Sequence, residues 1–94
     1  MRIIAFFAFV ATVSATTIFP STKSNCGPPA LPFINQCGVT SLNYDIVAYK
    51  IQYEGQEVSW FRNPYCEGQG VPAEISSDIC IQLPFIAKCV RIDC

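Results

Sequence analysis

The stretch VSWFRNPYCEGQG, Val58 to Gly70, closes one extended run and turns the chain back on itself. Trp60 and Phe61 are neighbours, so on a strand they face opposite sides of a sheet. Asn63-Pro64 has turn chemistry, Asn through side-chain bonds to its own backbone and Pro through its fixed φ. Cys66 and two glycines, Gly68 and Gly70, follow directly. The stretch therefore reads as a strand ending at Phe61 and a tight corner pinned by a cysteine.

Upstream, Asp45, Val47, Tyr49, Ile51 and Tyr53 alternate with Tyr44, Ile46, Ala48 and Lys50, the period of a long strand. Glu54-Gly55 separates that strand from Glu57 to Phe61, as in a hairpin whose glycine takes a positive φ. Downstream, Ala73 to Ile75 and Lys88 to Asp93 complete the strands, the last with alternating Val90 and Ile92. Residues 16 to 36 carry Pro20, Pro28, Pro29 and Pro32, and proline donates nothing to a ladder, so only a short strand such as Thr17 to Phe19 fits there. No segment after the first fifteen residues has a helical period. The class is all-β, a sandwich or small barrel of short strands.

The N-terminus supplies the compartment. Arg2 precedes an apolar run from Ile3 to Val13 and then Val13-Ser14-Ala15. That run is too short to span a bilayer of about 30 Å as a helix and ends in a small-residue site. Residues 1 to 15 read as a signal peptide cleaved after Ala15, and residues 16 to 94 as one secreted domain without a membrane span. All six cysteines, Cys26, Cys37, Cys66, Cys80, Cys89 and Cys94, lie in that domain. An even count on an oxidising route implies three disulfides.

Six Lys or Arg, one of them Arg2 in the leader, stand against seven Asp or Glu, so the mature charge is −2. That balance removes the driving term for nucleic-acid binding and for simple attraction to anionic membranes. With no histidine and no Cys-x-x-Cys pair, neither zinc nor a nucleophile-base pair is expected. Glu54 and Glu57 across a turn are an ordinary surface pair, so no enzyme and no cofactor is expected.

The halves of the mature chain also echo each other. Phe19 and Phe61 each precede a cysteine (Cys26, Cys66), a glycine (Gly27, Gly68), a second cysteine (Cys37, Cys80) and a closing apolar strand (Val47 to Ile51, Val90 to Ile92). Two four-stranded antiparallel units, as a pair of Greek keys over a common core, fill this length.

In VSWFRNPYCEGQG followed by EISSDICIQLPFIAKCVRIDC, the sequence resembles a βγ-crystallin Greek-key motif. The resemblance implies that Phe61 packs over a folded hairpin whose turn needs Gly68. Cys89 stands where that family usually has serine. Over its last half the chain is similar to the small plant antimicrobial βγ-crystallin-like proteins of the macadamia-seed type, with a killer-toxin-like role as the related expectation. That family has Cys-Gly-Cys where this chain has Cys37-Gly38-Val39. Carried over position by position, the resemblance implies Cys26 with Cys80 and Cys37 with Cys94, leaving Cys66 for Cys89. Some crystallins hold calcium ahead of a Ser/Thr-Ser pair. Ser76-Ser77 matches its end, but Pro72 and Ala73 occupy the ligand positions, so no calcium is expected.

Trp60, on the face opposite Phe61, packs in a second layer or forms an aromatic platform with Tyr49, Tyr53 or Tyr65. The functional expectation is a secreted, monomeric antimicrobial or killer-toxin-like defence protein that engages cell-wall polysaccharide or a surface protein. The alternative is a secreted effector that binds a host protein or chitin without toxicity.

Overall fold

The computed structural model describes residues 15–94. The leader assigned to residues 1 to 15 lies, but for Ala15, outside the described residues. Among these residues there is no helix. Five strands, β1 (Thr17–Ser21), β2 (Gly38–Gln52), β3 (Glu57–Phe61), β4 (Val71–Pro72) and β5 (Ile81–Asp93), form one antiparallel sheet in the order β1-β2-β5-β3-β4.

β3 has the bounds the alternation predicts, but β2 and β5 begin well before Tyr44 and Lys88. The strand expected at Ala73 to Ile75 lies instead at Val71–Pro72. Two four-stranded units would need eight strands, and the prolines explain part of the shortfall. Around Pro28, Pro29 and Pro32 the chain adds only one bridge to β1, Ile18 with Ile34.

The echo between halves is a relation of backbone geometry. In the central ladder Thr40 faces Val90 and Tyr49 faces Ile81, and a shift of 41 positions carries the first pair onto the second. Ser41 with Cys89 maps in the same way onto Gln82 with Ala48. Ile46 faces Ala87, its own counterpart, so a local twofold axis passes between them. Leu42 to Asp45 of β2 stand opposite Lys88 alone, and Leu83 to Ile86 of β5 stand opposite Val47 alone. Each long strand thus carries a wide bulge, and a bulge bends a strand.

The bulges explain why simple alternation fails. From Ile46 to Gln52 and from Ala87 to Asp93 the burial patterns nearly coincide, each with two consecutive buried residues, Ala48-Tyr49 and Cys89-Val90. Ile46 and Tyr49, like Ala87 and Val90, point into the main core although they are an odd number of positions apart. That core also holds Ile18, Ile51 and Ile81 from one end of the sheet and Val58, Trp60 and Ile92 from the other.

The corners repeat as well. Cys26 and Cys66 both take a left-handed backbone, φ 57° and 55°, and each donates its N–H back three residues, to Lys23 and Asn63. Asn63 Oδ1 accepts the N–H groups of Tyr65 and Glu67, both at 2.9 Å, which is the side-chain turn expected of Asn-Pro. By these corners Ser21, not Phe19, occupies the place of Phe61. Phe19 is partly exposed whereas Phe61 is buried.

Three disulfides staple the sheet: Cys26–Cys80, Cys37–Cys94 and Cys66–Cys89. They coincide with the pairs that the resemblance implies. Gly68 has the positive φ of a turn glycine, 84°, but the glycine beneath the Phe61 ring is Gly70. A Cβ on Gly70 would lie 2.6 Å from the ring's Cζ. Gly70→Ala is therefore expected to cost about 1–3 kcal/mol by displacing a buried ring. Urea unfolding measures it, and Phe61→Leu in the same chain should relieve much of the added cost.

Candidate functional site

Trp60 and Tyr49 do not form a surface platform. Both are buried, with ring centroids 4.8 Å apart and planes at 41°, and they join the two ends of the sheet within one core. The phase change at Ala48 turns Tyr49 inward, and the alternation of β3 places Trp60 beside Val58. Tyr53 is partly buried and lines a shallow cavity of about 260 Å³ with Glu57, Ser59 and Ile75. Tyr65 is the most exposed of the four, at 72 %, on the corner ahead of Cys66. The four aromatics are not gathered in one place.

The Tyr49 hydroxyl donates to the Glu74 carbonyl at 2.8 Å, tying β2 to the loop after β4. Burial pushes the Tyr49 phenol above its ordinary value of 10.0. A raised pKa in the folded state means that this stabilisation is complete below pH 10 and is lost as the pH climbs through the folded value. Stability should fall in that alkaline range. Tyr49→Phe should lose about 1 kcal/mol at neutral pH, from the missing hydrogen bond, and show a shallower alkaline decline in urea titrations.

The residues best placed to meet a partner lie beside the β2 bulge. Leu42 to Asp45 leave the ladder there, and Tyr44 stands half exposed next to the Pro-rich segment. Tyr44, Leu42, Phe33, Leu31 and Pro20 line an open groove of about 220 Å³. Phe33 is 58 % exposed, with its centroid 6.2 Å from that of Phe19. Sequence reading missed this cluster by treating residues 20 to 36 only as loop. The available signal was Phe33, a large aromatic directly after Pro32 with no alternating pattern to bury it.

The counterpart bulge is closed by its own chain, since the Arg62 guanidinium lies 4.6 Å from the centre of the Phe85 ring. Between the bulges, Lys88 Nζ meets Asp45 Oδ1 at 2.6 Å across an exposed surface. Such a pair contributes little to stability. Among the described residues no three His, Cys, Asp or Glu gather as metal ligands, every cysteine is bridged, and no helix is long and apolar enough to cross a membrane. What the groove can do chemically is bind, through apolar contact and stacking of flat rings. Compared with known protein families, with curated proteins and with solved structures, the chain matches none of them.

Proposed function

We propose that this chain is a secreted defence protein of the antimicrobial or killer-toxin-like kind, acting by binding rather than catalysis. Its target is a cell-wall polysaccharide or a surface protein of a competing microbe. The observation that carries this reading is the open aromatic groove of Phe33 and Tyr44 on a sheet held by three disulfides. Contiguous exposed apolar surface marks an interaction site, and aromatic faces suit sugar rings. Three bridges in so small a chain are typical of extracellular proteins.

A leader cleaved after Ala15 fits the anchoring of the next residue. Thr16 is buried, and its backbone N donates to Gln56 Oε1 at 2.9 Å. The twofold relation of the corners and of the central ladder supports a βγ-crystallin-like pair of Greek keys. The acidic balance argues against disruption of anionic membranes by charge.

Growth inhibition of fungi and bacteria tests the reading, together with retention on insoluble chitin and β-glucan. The wild type should inhibit at micromolar concentration, and Phe33→Ala should lose at least about tenfold in potency while unfolding within about 0.5 kcal/mol of the wild type, as exposed positions do. Inactivity at micromolar concentration would withdraw the defence reading. The effector reading, a secreted protein that binds a host protein or chitin without toxicity, would then take its place.

A further inference from the structure

The outer face of the sheet, opposite the main core, differs between the two halves. In the second half Phe61 of β3 faces Cys89 of β5 and is buried. Its ring lies against Gly70, and the Arg91 guanidinium stands 5.2 Å from the ring centre. The Cys66–Cys89 bridge closes the same corner. A small second core forms there around one aromatic ring beneath a cation.

In the first half the corresponding positions hold smaller groups. Ser21 of β1 faces Ala48 of β2, as Phe61 faces Cys89. Lys50 stands where Arg91 stands, Cys26 where Cys66 stands, and Ile34 bonds to Ile18 as Ala73 bonds to Val58. Ser21 supplies no ring to match that of Phe61. A cavity of about 110 Å³ lies there, with Phe19, Pro20, Ser21, Cys26, Leu31 and Lys50 among its lining residues. Lys50 is exposed and stands at its mouth.

We propose that this cavity is a receptor for one aromatic ring, the phenylalanine side chain of a partner protein, which takes the place that Phe61 fills from within in the other half. The size is right for a ring held partly outside, since a closed apolar cavity of about 150 Å³ takes benzene. The chemistry is right as well. The walls are mostly apolar, and the Lys50 ammonium can lie over the ring as the Arg91 guanidinium lies over Phe61. A leucine of similar bulk would fill the space without engaging the cation. The site adjoins the Phe33–Tyr44 groove, with which it shares Pro20 and Leu31, but does not depend on the defence reading.

N-acetylphenylalaninamide serves as the probe, followed by heteronuclear NMR on the oxidised protein. Saturable shifts should centre on the amides of Gly27, Ala48 and Lys50, with a dissociation constant of about 1–10 mM, as expected for a ligand of this size. The cyclohexylalanine analogue, with the same six ring carbons but no π face, should bind about two- to fivefold more weakly, and Lys50→Met should reduce that difference. Ser21→Phe, which supplies the ring from within, should abolish the shifts. Shifts centred on Phe33 and Tyr44, no saturable shift at all, or equal binding of the two analogues to the wild type would each overturn the proposal, and the last two comparisons hold even if Ser21→Phe does not fold.

Discussion

Full reduction of the three disulfides should unfold the protein at 25 °C without denaturant. The bridges close spans of 54, 57 and 23 residues, each of which restricts the unfolded chain by about 3–4 kcal/mol in the entropic account. The spans overlap, so the contributions do not add. Even two of them approach the whole stability expected of a domain this small, about 5–15 kcal/mol. The main core is made of medium-sized aliphatic side chains around a single pair of large rings. Such a core leaves little surplus over chain entropy.

Trp60 is the sole tryptophan and is buried, so its emission reports the core directly. Reductant should shift that emission to the red together with loss of β-type circular dichroism. Native spectra in the fully reduced protein would show that the bridges are dispensable.

Trp60→Ala should be the most damaging single substitution outside the cysteines, at about 3–5 kcal/mol. The side chain is the largest in the core and has no exposed surface. Its contact with Tyr49 links the end of the sheet built on β1 to the end built on β3, so its removal opens a cavity between the two ends. Trp60→Phe, which retains a ring against Tyr49, should cost less. Tyr65→Ala, at a side chain 72 % exposed, should change stability by about 0.5 kcal/mol or less. Equilibrium urea unfolding with the bridges intact measures all three. If Trp60→Ala and Tyr65→Ala were equally mild, the core would not be organised around the indole.

Strand β3 was legible in the sequence because its alternation is short and uninterrupted, and the corner at Asn63-Pro64 because its turn chemistry is local. The existence of β2 and β5 was legible too, but not which of their residues face inward. Alternation counts every second residue, and a bulge shifts the count. Val47 and Lys88 each stand opposite four residues of the partner strand, which nothing in their own identity announces. Tyr49 was therefore open to reading as a surface aromatic.

The groove residues were hidden for a different reason. Phe33 lies in a Pro-rich segment with no periodicity of its own and gains its neighbours, Phe19 and Tyr44, from the strands before and after it. The repeat was visible in outline, but it was anchored on Phe19 and Phe61, the two conspicuous aromatics. The backbone anchors it on Cys26 and Cys66, whose matching left-handed corners leave Ser21 in the place of Phe61.

The local twofold at Ile46 and Ala87 has a consequence for how the chain reaches this state. Each half pairs with the other through equivalent edges, so before oxidation a half from a neighbouring molecule fits as well as the half on the same chain. Refolding at high concentration should yield intertwined pairs that exchange halves. Cys26–Cys80 and Cys37–Cys94 both tie the first half to the second, so their closure within one chain ends that exchange. Cys66–Cys89 lies wholly within the second half and leaves it open.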